Sequence, residues 1–363
     1  MIVTSLQLAD FRNYDFLDIH FDENTNILYG NNAQGKTNIL EALYICVTTK
    51  SHRGGKDKEM IRFGKEEAHI KVMLEKKGIP RKIDIHLKNH KSKGIAIDGI
   101  PIKKSSELLG LLNIVFFSPE DLSIIKNGPA ERRKFMDVEL CQLNNIYFHH
   151  FSQYQKVLNQ RNNLLKQLIK EPYLMDTLEI WDKQLIEHGS IIIEEREKFI
   201  IRLNAIIKEI HNKLTGNKEE IQILYEKNTK KEQFLENLNH KKSSDLKSLT
   251  TQTGPHRDDM AFMVNGIDIR KFGSQGQQRT VALSLKLAEI QLVKSIIKDT
   301  PILLLDDVMS ELDHDRKNYL LESIKDIQTI ITCTGLDEFI KGRLNIDKIF
   351  QVTEGTVTEK ILT

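Results

Sequence analysis

The apolar positions of this chain change period more than once along its length. Met1 to Leu8 and Phe16 to Phe21 alternate apolar with polar residues, the two-residue repeat of strands with one buried face, and predict an antiparallel β pair. Ile27 to Tyr29 is a short apolar run, and beyond it Ile39, Leu40, Leu43 and Cys46 fall three and four apart, so a strand leads into a helix. The first 110 residues otherwise read as strands, with Asp98-Gly99 predicting a tight hairpin between Ile95 and Ile102. From about Pro119 the spacing becomes helical. Leu158, Leu164, Leu165, Leu168 and Ile169 mark one helix, and Leu178, Trp181, Leu185, Ile192 and Ile193 a second that extends towards Leu214. This block either packs as a bundle or projects as an antiparallel arm. Lys213 to Thr253 is polar and lysine-rich and reads as connecting structure with one strand at Ile221 to Tyr225. Strands then return: Met260 to Ile269 turns at Asn265-Gly266, and Leu303 to Leu305 and Thr329 to Cys333 are continuously apolar like buried parallel strands. Ile349 to Leu362 reads as a last hairpin turning at Glu354-Gly355.

A chain of 363 residues with 40% hydrophobic content can fill two or three cores. No stretch approaches the roughly 20 apolar residues of a membrane span, and Met1 to Asp10 lacks a signal-peptide plan, so a soluble, cytoplasmic protein without a membrane role is expected. Cys46, Cys141 and Cys333 are far apart and form no metal or redox pair, so they read as buried thiols. The net charge of +2 is small but uneven. Between Lys71 and Lys104 cations far outnumber Glu75, Asp84 and Asp98. Lys76, Lys77, Arg81, Lys82, Lys88, Lys91 and Lys93 are therefore candidates for contact with nucleic-acid phosphates, against the plainer reading of a solvated sheet edge.

The strand-to-helix junction carries the chemistry. Gly30-Asn31-Asn32-Ala33-Gln34-Gly35-Lys36-Thr37 fits G-x-x-x-x-G-K-[ST], in which a curled backbone turns its N–H groups towards phosphates. Lys36 would reach the β and γ phosphates of ATP, and Thr37 would help hold Mg²⁺. The apolar run Ile302 to Leu305 ends in Asp306-Asp307. Asp306 is expected to serve Mg²⁺ beside Thr37, and Asp307 to orient or deprotonate the attacking water. About thirty residues earlier, Ser274-Gln275-Gly276-Gln277 opens a helical pattern, the place where ATP-binding-cassette ATPases offer a helix N-terminus to the γ phosphate on a second subunit. Ser310-Glu311-Leu312-Asp313 follows as a subunit-crossing loop, with Ser310 or Asp313 capping a helix. Thr332 or Thr334 stands where a γ-phosphate sensor belongs.

With these elements in order the chain resembles the RecF family of bacterial DNA replication and repair proteins over nearly its whole length. The resemblance rests on Leu8 to Tyr14, Gly30 to Leu43, Ser51-His52-Arg53, Phe117 to Leu122, Gly128-Pro129 with Arg132-Arg133, Gly254 to Asp259 and Gly273 to Arg279. It implies an α/β P-loop, ABC-type ATPase head with an inserted, mainly helical second lobe. Lobe I would comprise residues 1–118 and 296–363, and lobe II residues 119–295. It also implies an ATP-dependent homodimer that binds duplex DNA and junctions of single- and double-stranded DNA. Such a dimer works with RecR and RecO to promote RecA loading in repair, recombination and replication restart. Arg12 and Asn13 match positions that touch the nucleotide in related heads, and His52 and Arg53 are expected to reach phosphate or the partner head.

The match has departures. The signature reads Ser-Gln-Gly-Gln, and Asp307 replaces the glutamate of most cassette ATPases, which predicts slow hydrolysis suited to timing. Where a glutamine usually coordinates magnesium, the Pro119-Glu120-Asp121 segment leaves the identity of that ligand open. Asp258 and Asp259 beside Arg257 are expected to form ion pairs rather than a metal site with His256. Lys156, Arg161 and Lys166 offer a second basic surface on the helices. The rival reading is a soluble cassette ATPase that switches a protein partner without contacting DNA.

Overall fold

The computed structural model describes residues 1–336 and 346–360, which divide into two compact units, residues 1–121 with 289–363 and residues 122–288. The first unit opens with β1 (Ile2–Phe11), β2 (Tyr14–His20) and β3 (Thr25–Tyr29), then α1 (Lys36–Thr48). It continues through β4 (Glu67–Lys76), β5 (Ile79–Lys88), β6 (Gly94–Ile97), β7 (Ile100–Pro101) and β8 (Ile114–Phe117).

The second unit holds α2 (Leu122–Lys126), α3 (Pro129–Leu143), α4 (Asn145–Gln167), α5 (Leu178–Leu214), β9 (Ile221–Glu226), α6 (Phe234–Ser248), β10 (Asp259–Val264), β11 (Ile267–Asp268) and α7 (Ile269–Phe272). Helix α8 (Gln275–Ile297) carries the chain back to the first unit. There β12 (Ile302–Asp306), α9 (His314–Ser323), β13 (Thr329–Cys333), β14 (Lys348–Thr353) and β15 (Thr356–Lys360) complete it.

Two six-stranded sheets build the first unit. One is antiparallel, in the order β2-β1-β4-β5-β6-β7. The other runs β15-β14-β3-β13-β12-β8 and is parallel except for the β15 edge. Alternation on β4 and β5 turns Ala68, Ile70, Val72, Leu74, Ile83, Ile85 and Leu87 inward. They share one core with Ile39, Leu40, Leu43 and Cys46 of α1 and with Leu28, Leu304, Ile330 and Phe350 of the parallel sheet. Buried on nearly all sides, α1 is held by packing rather than by an amphipathic face, which fixes the loop before it. The expected strands at both ends of this unit are present, and the β14–β15 hairpin turns at Glu354-Gly355; residues 361 and 362 lie outside the described residues. A further hairpin, β4–β5, turns at Lys77-Gly78, both with positive φ. Cys46 and Cys333 are buried, but Cys141 is partly exposed, because only one side of α3 faces the interior at that point.

In the second unit α5 is a 37-residue helix packed against α4, α6 and β9. Of the two expectations, the packed bundle holds: Leu164, Leu165 and Leu168 with Leu178 and Trp181 are covered by Leu246 of α6. Gly189 lies where Tyr154 of α4 and Phe234 of α6 close on α5, and a methyl group there would meet both rings at 2.9 Å or less. The segment Lys213 to Thr253 is not mere connection, since it contains α6. Its buried face is sparse, Phe234 and Leu238 with a buried Asp245, and the surrounding lysines obscure the helical period. Asn265-Gly266 joins β10 to β11 with positive φ at both residues, as the sequence predicts.

Among the described residues no helix is long and apolar enough to cross a membrane.

Candidate nucleotide-binding site

The loop Gly30 to Gly35 leaves β3 at the carboxyl end of the parallel sheet and enters α1. Gly30 and Gly35 have φ of 153° and 112°, and a side chain on Gly30 would strike the Val352 carbonyl of β14. Lys36 lies folded back over this loop. Its Nζ donates to the carbonyls of Gly30 (2.5 Å) and Asn31 (2.8 Å). Burial pulls the ammonium below its ordinary pKa range, while Asp307, Cys333 and Asp306 act in the opposite direction.

Asp306 closes β12 and gathers two hydroxyls. Thr37 Oγ1 donates to its Oδ1 at 2.8 Å, and Thr332 Oγ1 donates to the same oxygen at 2.7 Å. The parallel register that sets Asp306 opposite Thr332 delivers the second of these. Thr332 also accepts from the backbone N–H of Asp307 at 3.0 Å. Asp307 itself has a left-handed backbone, φ 54°, where the strand bends sharply into a 3-10 turn. Ser310 closes that turn by donating to the Asp307 carbonyl, and Asp313 caps α9 by accepting from the Arg316 N–H. Thr334 is exposed beyond β13 and is not brought to Asp306.

Arg12 and Asn13, in the turn between β1 and β2, brace the loop. Asn13 Nδ2 donates to the Gln34 carbonyl at 3.0 Å, Asn38 Nδ2 donates to Asn13 Oδ1 at 2.8 Å, and the Tyr14 hydroxyl donates to the Gly35 carbonyl at 3.1 Å. Arg12 clamps Glu41 of α1 bidentately, at 2.9 and 2.6 Å, and donates to the Glu59 carbonyl. Burial would raise the Glu41 pKa, yet hydrogen bonds from Arg12 and Ser51 and the charges of Arg12 and Arg53 bring it below the ordinary carboxylate range. The β14–β15 turn joins in, because Glu354 N–H donates to Gln34 Oε1 at 2.6 Å and Gly355 N–H to the Gln34 carbonyl. Sequence reasoning missed the part that Glu41, Asn38, Tyr14 and this turn play at the site. A carboxylate one helical turn beyond Lys36, in an otherwise apolar helix, was the available signal.

Arg53 lies beside this site, donating to Asn38 Oδ1 at 3.1 Å. The His52 ring packs on Phe116, centroids 4.4 Å apart, and edge-on to Tyr44. Asp121 Oδ2 accepts from the Ser118 N–H, so the Pro119-Glu120-Asp121 segment caps its own turn.

In the second unit, Ser274 and Gln277 form a reciprocal capping box at the start of α8. The Ser274 N–H donates to Gln277 Oε1 at 3.0 Å and the Gln277 N–H to Ser274 Oγ at 3.2 Å. Gln277 Nε2 is fixed by Glu219 at 2.8 Å. Ser274, Gln275 and Gly276 are exposed, so this helix end is open to another molecule.

The basic candidates separate by geometry. Lys76 and Lys93 are half-buried and bond to the carbonyls of Gly110 and Thr49, with Lys93 also 2.9 Å from Asp57, so both tie loops down. Arg81, Lys82 and Lys88 pair with Asp98, Asp84 and Glu67 at 2.7, 3.1 and 3.5 Å, and Lys77 and Lys91 are exposed in turns. Lys156 and Lys166 are exposed on α4, but Arg161 is not a surface residue. It is fully buried against Asp182 (2.6 Å), Asp245 (2.7 Å) and Thr251 (2.8 Å) because its position on α4 faces α5 and α6. The expected ion pairs at Asp258 and Asp259 exist with other partners. Arg132 grips Asp259 at 2.6 and 2.9 Å and Arg196 reaches Asp258 at 3.1 Å, whereas Arg257 turns to the Thr251 carbonyl. His256 accepts from the Tyr154 hydroxyl at 2.6 Å and faces the Thr251 carbonyl at 2.9 Å, so it is a satisfied, half-buried histidine.

The family model described as the RecF/RecN/SMC N-terminal domain matches residues 2–358. The DNA replication and repair protein RecF of Lachnospira eligens is 59% identical over 99% of this chain and all of its own length. That of Clostridium acetobutylicum is 45% identical over 99% of this chain and its full length. A solved structure of the recombination mediator protein RecF with ATP in the RecFOR pathway superposes with a TM-score of 0.92, at 35% identity, covering 99% of this chain and 97% of that one. With its phosphate loop, its capped signature helix and its paired carboxylates in this order, the chain belongs to the RecF family of DNA replication and repair proteins, within the wider RecF/RecN/SMC group of ATPase heads.

Proposed function

We propose that this chain is an ATP-operated DNA clamp that acts as a recombination mediator in repair and replication restart. The observation that carries the reading is the convergence of Thr37 and Thr332 on one oxygen of Asp306, directly beside the loop that Lys36 covers. ATP would lie with its phosphates against the loop N–H groups, and Lys36 would exchange the Gly30 and Asn31 carbonyls for phosphate oxygens. The donor set at Asp306, a carboxylate with two hydroxyls, consists of hard oxygens and suits magnesium; Thr37 and Asp306 would hold it. Magnesium bound there supplies charge neutralisation for the leaving phosphates.

Asp307 would orient the attacking water, and Thr332 would position it by fixing its backbone N–H. Its carboxylate is one methylene shorter than glutamate and its backbone is held in a left-handed turn, which supports slow hydrolysis that acts as a timer. The exposed Ser274-Gln275-Gly276 end of α8 supports dimerisation on ATP, with this end offered to the γ phosphate on the other subunit. The dimer would bind duplex DNA and single/double-strand junctions through phosphate contacts, with Lys77, Arg81, Lys82, Lys88 and Lys91 as candidates. RecR and RecO would be its partners in loading RecA, in the cytoplasm.

The test is ATP hydrolysis by the full chain with and without duplex DNA. Stimulation by DNA, abolished in Asp307→Asn, supports the clamp. Hydrolysis indifferent to DNA but raised by a protein partner would favour the rival in which the ATPase switches a protein without touching DNA.

A further inference from the structure

The outer face of the antiparallel sheet carries a group of side chains that the nucleotide chemistry does not use. His69 of β4 and His86 of β5 are directly opposite one another in the register, and Glu67 lies two residues before His69 on the same face. The two imidazoles stack with centroids 3.8 Å apart. Their Nε2 atoms address one carboxylate: His86 Nε2 lies 3.0 Å from Glu67 Oε2, and His69 Nε2 lies 4.0 Å from Glu67 Oε1. A ligand atom from each of the three falls within 4.8 Å of the others.

The cross-strand row continues from Phe16 to Ala9 on one side of the histidines and to Gly94 on the other. Small residues on both flanks leave the rings standing open in a cavity of about 390 Å³ that also borders Lys71, Asp84 and Pro101.

We propose that Glu67, His69 and His86 form a binding site for one divalent d-block cation, Zn²⁺ foremost. Two imidazoles and a carboxylate are a zinc donor set, and they leave a fourth position for water or a small ligand entering the cavity. Tetrahedral bonds of about 2.0–2.2 Å set ligand atoms roughly 3.4 Å apart, so the His69–Glu67 pair must close and the His86–Glu67 pair open slightly, changes that side-chain rotation on this sheet face supplies. The ion would join β4 to β5 by coordination and displace Lys88 from Glu67, which it now meets at 3.5 Å. The face would thereby gain positive charge among the lysines.

The site is tested on the full chain, stripped with a chelator and titrated with Zn²⁺ against a chromophoric indicator. One ion per chain is expected. Loss of an outer partner of a metal ligand commonly weakens binding ~10–100-fold, so His86→Ala, which removes a direct ligand, should weaken it by ~100-fold or more. Glu67→Gln should weaken it as well, and His240→Ala, on α6, should not. The thermal midpoint of the wild type should rise with Zn²⁺, and that of a His69→Ala/His86→Ala chain should not. Glu67 and His69 are exposed and His86 is half-buried outside the core, so melting of the metal-free variants should stay close to the wild type. Absence of binding, or equal affinity in the double variant, overturns the proposal.

Discussion

Arg161 is a lysine-like surface cation in the sequence pattern of α4 and the most enclosed cation of the folded helices. Replacing it with methionine keeps an unbranched apolar stem and removes the guanidinium with its charge. The carboxylates of Asp182 and Asp245 then lose a partner at 2.6 and 2.7 Å, and the Thr251 hydroxyl loses another at 2.8 Å. Breaking one side of a buried ion pair costs ~3–5 kcal/mol. Asp245, whose pKa burial already raises, can relieve part of this by taking up a proton, but it remains buried. For a unit of this size each kcal/mol lowers the melting midpoint by ~2–4 °C, so Arg161→Met should lower it by roughly 6–20 °C. Scanning calorimetry reads the shift, and duplex-DNA titration at a temperature where the variant is folded reads the surface role. An unchanged or higher midpoint would refute the argument that the triad is stabilising. Weakened DNA binding by a fully folded variant would refute the assignment of Arg161 to the core.

Lys36→Met should weaken ATP binding by ~10–150-fold, the equivalent of the ~1.5–3 kcal/mol carried by a charge-assisted contact, in a fluorescent-nucleotide titration; unchanged affinity would remove the loop from nucleotide binding. Thr332→Val deprives Asp306 of a donor and the Asp307 N–H of an acceptor, so stability should fall by ~1–3 kcal/mol and hydrolysis should fall more than ATP affinity. Burial lowers the His256 pKa from 6.5 to about 4, with the charges of Arg257, Arg133 and Arg161 adding to it and the Thr251 carbonyl opposing. The unfolded chain therefore binds the extra proton first, and the stability from neutral His256 is full above pH 6.5 and lost as pH falls towards 4. Urea unfolding should show about 2 kcal/mol less stability at pH 5 than at pH 7 from this group, and His256→Gln should flatten that difference.

The phosphate loop, Asp306-Asp307 and the Ser274 cap were legible because each is a contiguous string whose spacing carries its own mechanism. The hairpins at Asn265-Gly266 and Glu354-Gly355 were legible for the same local reason. What escaped was chemistry assembled across the chain. Glu41 reads as one charge in an apolar helix until the fold brings Arg12 and Ser51 to it. Arg161 reads as solvent-facing until α6, hidden in a lysine-rich stretch, supplies Asp245. Arg132, not the neighbouring Arg257, takes Asp259, because strand β10 turns that carboxylate towards α3. Periodicity reports which face of an element is apolar, but not which distant carboxylate waits on a buried one.

The most direct test of the central claim is sedimentation of the chain with duplex DNA under three conditions: with ATP, with ADP and without nucleotide. The account predicts a dimer that holds DNA only with ATP, is lost in Lys36→Met and persists longer in Asp307→Asn. DNA binding that ignores the nucleotide, or an ATP-dependent dimer that leaves DNA free, would contradict it.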